Sequence, residues 1–192
     1  MKIPPPVNPA YSIARDWLTR PLVAWIGANA VGWSSGLALG VLAAGWLGGP
    51  GGVLIAGLIT GTVVGWLQGL ALSYWLAVDR RGWVLRSVIG GTLGVLPLFA
   101  LVFLLFVGNI GLIIAGTVYG LCFGWAQSGA LVDRDGARLL WLAGSAAGGG
   151  ACALLTFGAV PLALPVICTA GPPVFGLITG LVLLWLRGTL HD

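Results

Sequence analysis

Residues 21–78 read PLVAWIGANAVGWSSGLALGVLAAGWLGGPGGVLIAGLITGTVVGWLQGLALSYWLAV, 58 positions without one charged side chain. A single helix needs only about 20 apolar residues to cross the hydrocarbon core of a bilayer. The stretch therefore predicts two crossings, with the turn at Gly48-Gly49-Pro50-Gly51-Gly52, where breaker residues cluster. Two further charge-free windows follow, Ser87–Val132 and Leu139–Leu186. Their turns are expected at Gly108-Asn109 and along the stretch holding Pro161, Pro165, Gly171, Pro172 and Pro173. Hydropathy predicts helices at roughly 22–47, 53–77, 84–107, 110–132, 139–160 and 173–187.

All charges lie between or beside these windows, in four clusters: Lys2–Arg20, Asp79–Arg86, Asp133–Arg138 and Arg187–Asp192. If each window is a helical hairpin, all four clusters emerge on the same side of the membrane. Lys and Arg flanking spans are retained in the cytoplasm, and all nine fall on that side. The expectation is an all-α polytopic protein of a bacterial inner membrane, with six transmembrane helices and both termini cytoplasmic. It forms a single membrane domain over 1–192, with an N-terminal cytoplasmic segment at 1–20 and hairpins at 21–78, 79–132 and 133–192. Ala10–Thr19 is expected to lie at the interface, and no cleavable leader is expected.

Composition agrees. Charged residues make up 7% of the chain, apolar ones 58%, and the mean hydropathy is +1.03; soluble domains carry about 25% charged residues. The net charge of +4 comes from basic span ends, so it does not point to nucleic acid.

The windows repeat one another. Trp25, Trp83 and Trp141 recur every 58 residues, with Asn29, Ser87 and Ser145, then Gly32, Gly90 and Gly148, in the same register. In the even helices Gly57-Leu58-Ile59-Thr60-Gly61 matches Gly176-Leu177-Ile178-Thr179-Gly180 letter for letter, with Gly116-Thr117-Val118-Tyr119-Gly120 between them. That frame aligns Trp66, Trp125 and Trp185, and likewise Gln68, Gln127 and Arg187. A fixed period of this kind signals internal duplication. Two-span units insert with the same orientation, so the repeats are parallel and predict pseudo-threefold symmetry about the membrane normal.

Glycine stripes show how such a bundle closes. Gly57, Gly61, Gly65 and Gly69 form one, Gly116, Gly120 and Gly124 a second, Gly32, Gly36 and Gly40 a third, and Gly176 with Gly180 a fourth. Small residues every four positions let membrane helices approach closely. A flat groove for a rigid cofactor or partner helix is their other use.

Chemistry inside the spans is sparse. Apart from Arg86 and Arg187 near span ends, no Asp, Glu, Lys, Arg or His lies within them, and proton relays, coupled transporters and voltage sensors depend on such groups. Serines have no basic partner, so nucleophilic catalysis lacks its base. Cys122, Cys152 and Cys168 show no CxxC spacing, and the one histidine is His191. Neither an enzyme nor a metal or haem site is expected.

The polar candidates are Asn29, Gln68 and Gln127, roughly 9–16 Å along a helix axis from the nearest charge. They serve either as hydrogen-bonding glue between helices or as a shared pocket with Ser73, Ser87, Ser145 and Tyr74. In the second case an amide oxygen could ligate a chlorophyll-type magnesium, a hard ion that takes oxygen donors. Trp17, Trp25, Trp75, Trp83, Trp141 and Trp185 stand near charged clusters, where an aromatic belt is expected. Trp66 and Trp125 sit deeper and either wall a hydrophobic ligand site or fill space beside the glycines.

Gly65-Trp66-Leu67-Gln68, a short Arg-bearing turn, then Gly82-Trp83-Val84-Leu85 resembles uncharacterised Gly/Trp-rich multi-span membrane proteins of cyanobacteria and phototrophic Chloroflexota. The likeness covers all three repeats, with Gly136-Ala137 in place of the Gly-Trp pair in the second turn, and it implies no activity. The function expected is that of a non-catalytic accessory subunit of a larger membrane complex, photosynthetic or electron-transfer. Its partners would be lipid and other integral subunits, with a chlorophyll-type pigment, carotenoid, quinone or lipid as candidate ligands. The alternative is a small transporter or channel for a neutral or hydrophobic solute.

Overall fold

A computed structural model describes residues 9–73, 76, 78–104, 108–131, 135–157 and 164–189. Expectations placed on the side chains of Trp17 and Cys168, and on Tyr74, Trp75, Asp133, Arg134, Pro161 and His191, lie outside what is described. The chain is all-α, with no strand among the described residues: α1 Pro9–Leu47, α2 Gly49–Leu72, α3 Arg80–Leu104, α4 Asn109–Ser128, α5 Asp135–Phe157 and α6 Leu164–Thr189. Five of the six are long and apolar enough to cross a membrane, so this is an integral membrane protein whose outer surface contacts lipid. In the sixth, α3, Arg80, Arg81 and Arg86 stand in the first two turns, and the helix runs on without a charge from Ser87 to Leu104.

Three boundaries matter most where the helices differ from the sequence expectation. The first turn is tighter than five breaker residues suggest: Gly48 alone separates α1 from α2, and Pro50 sits in the first turn of α2, where its missing N–H costs nothing. Gly48 and Gly49 have φ of 64° and 57°, a left-handed backbone that only glycine adopts without strain. The last turn lies earlier than expected, because α6 begins at Leu164 and takes Pro172 and Pro173 into its interior. Membrane helices tolerate such prolines when neighbouring helices surround the freed carbonyls. Ala10–Thr19, expected as a separate interfacial segment, is continuous with α1.

The helices form a ring. Each contacts its two neighbours in the chain, and α1 meets α6 to close it. Glycine stripes make the seams. A Cβ added at Gly36 would stand 3.1 Å from Thr60 Cα, so α1 rests directly on α2. At Gly61 it would stand 2.5 Å from Ser87 O and 2.9 Å from Val88 Cα, joining α2 to α3; Gly120 meets the Ser145 carbonyl in the same way, joining α4 to α5. With the helices this close, dispersion gains replace the hydrophobic drive that lipid does not supply.

The sixth helix departs from the register its sequence suggests. The letter match would place Gly180 at Asn29, as Gly61 lies at Ser87. Instead a Cβ on Gly180 falls 2.9 Å from Trp25 Cδ1, and one on Gly176 falls 2.9 Å from Asn29 Cβ and 3.0 Å from Ile26 Cα. These are the surroundings of Gly65, whose Cβ would stand 2.5 Å from Ser87 Cβ and 3.3 Å from Val84 Cα. So α6 is displaced by eight residues, about 12 Å of helix. The cause is Trp33. It lies eight residues after Trp25, where α3 and α5 carry Gly91 and Gly149. Those glycines admit α2 and α4 closely; Trp33 instead fills the axis and packs edge-on to Phe175 at 5.4 Å.

Candidate functional site

Inside the ring, successive inward turns of α1 present Trp25, Asn29, Trp33 and Leu37, about 6 Å apart. The first layer is a triad. Trp25, Trp83 and Trp141 are all 0% exposed, with ring centroids 6.3, 6.2 and 5.9 Å apart and planes inclined at 71°, 64° and 66°. Each ring meets the next edge to face, an arrangement worth about 0.5–1.5 kcal/mol per pair beyond burial. Leu72, Leu131 and Leu183 pack against them. The expectation that these three tryptophans form an interfacial belt is corrected here: they are core. Each stands one helical turn before an inward polar residue, and that turn is already enclosed by the ring.

The second layer is polar. Gln68 Nε2 donates to Asn29 Oδ1 at 2.8 Å, and Gln127 Nε2 donates to Gln68 Oε1 and to Ser87 Oγ, each at 2.8 Å. Asn29 Nδ2 donates to Trp25 O at 2.9 Å, and Trp33 Nε1 donates to Asn29 Oδ1 at 3.3 Å. Ser87 Oγ donates to Trp83 O at 2.9 Å. The first two helical hairpins are thereby tied through amides in a site with no bulk water, where each unpaired polar group would cost about 1–3 kcal/mol. Asn29, Gln68 and Gln127, singled out from sequence, are thus brought together. Of the serines expected with them, Ser87 joins and Ser145 is buried beside the layer, while Ser73 is exposed and donates to Leu70 O.

Arg187 does not enter this layer. The displaced α6 puts Thr179 where α2 and α4 carry Gln68 and Gln127, and its hydroxyl accepts from Trp25 Nε1 at 3.0 Å and donates to Phe175 O at 2.7 Å. Sequence reasoning missed Thr179 because the letter match pointed to another register. It missed the Trp triad because proximity to charge outweighed the inward stripe Trp25–Asn29–Trp33, whose i, i+4 spacing was the available signal.

The third layer is aromatic: Trp33, Tyr119, Phe123 and Phe175, with Val64. Beyond it lies an apolar cavity of about 70 Å³ lined by Trp33, Tyr119, Gly149, Cys152, Thr156 and Phe175. Trp66 and Trp125 are elsewhere, 51% and 62% exposed on the outer surface, so neither fills the space beside the stripe glycines. The guanidinium of Arg80 lies 5.6 Å from the centre of the Trp66 ring. Trp125 borders a lipid-facing groove with Leu93, Leu121, Cys122 and Leu142. The amides, serine and threonine hydroxyls and indoles of the first two layers can orient and hold. Comparison with protein-family models, curated proteins and solved structures returned no match.

Proposed function

We propose that this chain is a non-catalytic structural subunit of a larger membrane complex. In this reading it crosses a bacterial inner membrane six times, with α3 spanning despite its arginines because they stand at the cytoplasmic end and can snorkel. Both termini face the cytoplasm, and three related hairpins surround an axis along the membrane normal. The observation that carries the role is how the interior polar groups are spent. Asn29, Gln68, Gln127 and Ser87 bond to one another, between a buried indole triad and a second aromatic layer that close the axis. A transporter needs a wet or openable path, and these layers argue against one. The surface left for function is the outside, where Trp125 and its groove face lipid and suit a partner helix, a lipid chain or the tail of a pigment or quinone. The resemblance to proteins of phototrophs directs attention to photosynthetic and electron-transfer assemblies.

The test is native purification from membranes in mild detergent, with mass spectrometry and an absorption spectrum of the same peak. Migration with a large assembly is expected, and colour in that peak would point to pigment. A chain that runs alone and colourless would overturn the reading.

A further inference from the structure

The amide layer follows a rule that holds in two hairpins and lapses in the third. Gln68 donates to Asn29 and Gln127 donates to Ser87, each within its own hairpin and each at 2.8 Å. In the third hairpin the corresponding pair is Thr179 and Ser145. The threonine hydroxyl donates to Phe175 O and accepts from Trp25, and Ser145 Oγ is left with no partner. The same lapse shows one step earlier: Gln68 Oε1 accepts from Gln127, but Gln127 Oε1, next in the chain of amides, has no donor. Trp141 Nε1, one turn before Ser145 on α5, is also unpaired. All three residues are fully buried.

These groups converge on one seam. Ser145 Oγ leans on α4, 2.7 Å from where a Cβ of Gly124 would stand, and Gln127 is one turn further along that helix. A threonine is shorter than a glutamine by roughly the bulk of one water, and buried waters typically make about three hydrogen bonds to polar groups otherwise unsatisfied. We propose that one buried water takes the place of the absent third amide, accepting from Trp141 Nε1 and donating to Gln127 Oε1 and Ser145 Oγ. The site is selective for a small neutral molecule that both donates and accepts. It completes the polar layer without a charge in the bilayer core. Trp83 Nε1, also unpaired, stands one turn before Ser87, whose hydroxyl is already engaged by Trp83 O and Gln127. The proposal is independent of any partner complex.

The experiment is a high-resolution structure of the full chain in nanodiscs, with water-to-indole cross-peaks recorded by NMR on tryptophan-labelled protein. The expected result is density about 2.7–3.2 Å from Gln127 Oε1 and Ser145 Oγ, with a water cross-peak at Trp141 Nε1. Thr179→Gln should fold, place its amide in that density and abolish the cross-peak. If that variant does not fold, Ser145→Ala, which only removes an oxygen, should weaken the cross-peak at least about twofold, since one of about three bonds is lost. A direct bond from Trp141 Nε1 to Gln127 Oε1, or a cross-peak unchanged in either variant, would overturn the proposal.

Discussion

An indole beside a basic cluster in a membrane helix is ordinarily placed at the water interface, and Trp25, Trp83 and Trp141 all have that position in the sequence. In the folded chain they meet at the axis, while Trp66 and Trp125, deeper in their segments, face outward. Depth along a helix and direction around it are separate coordinates, and only the second decides burial. The two sets should therefore differ sharply on truncation. Trp83→Ala removes a buried ring from the triad and is expected to cost about 3–5 kcal/mol. Trp125→Ala leaves the interior intact and should stay within about 0.5 kcal/mol. Denaturant titration of both variants in micelles checks the ranking, and equal losses would contradict the assignment of the triad as core.

Between elements, glycine decides which helices touch and how closely. Gly61 and Gly45 are indistinguishable by residue type, yet a Cβ at Gly61 would stand 2.5 Å from a carbonyl of α3, and one at Gly45 would meet nothing within 4 Å. Gly61→Ala must push α2 away from α3, and a loss of about 1–3 kcal/mol is expected from overpacking. Gly45→Ala should be neutral or stabilise by up to about 1 kcal/mol, since alanine restricts the unfolded backbone. Unfolding midpoints of the two variants, measured side by side, read the difference. The same logic explains the displaced sixth helix. Facing glycines let α2 and α4 lie flat on their neighbours, whereas Trp33 on α1 forces α6 to pair two turns further along, with Phe175 against the indole.

At the scale of the whole molecule, ring closure between α1 and α6 turns three hairpins into one body, and the meeting of the three indoles sets the Trp25, Trp83 and Trp141 turns of α1, α3 and α5 at one level. The proposed orientation makes a direct prediction. In a background with the native cysteines replaced, Arg80→Cys should be protected from an impermeant thiol reagent in intact cells, and Gly108→Cys should react. The opposite pattern would invert the topology. Electrostatics supports the first outcome, because Asp79 caps α3 through the N–H groups of Arg81 and Gly82 at 3.1 and 3.0 Å, so the acidic member of this cluster is engaged locally and the arginines carry the orientation signal.

The sequence by itself determined the membrane environment, the helical class and the hairpin windows, because charge is excluded from hydrocarbon at a cost no local packing offsets and the windows are set by that exclusion. It also marked Asn29, Gln68 and Gln127 as the polar residues to watch, since an amide at depth must find a partner. Direction and register were left to tertiary structure. Glycine, leucine and threonine match one another cheaply, so the identity of Gly57–Gly61 with Gly176–Gly180 carried no information about which turn faces which. The bulk of Trp33 settled that, and with it the replacement of a third amide by Thr179.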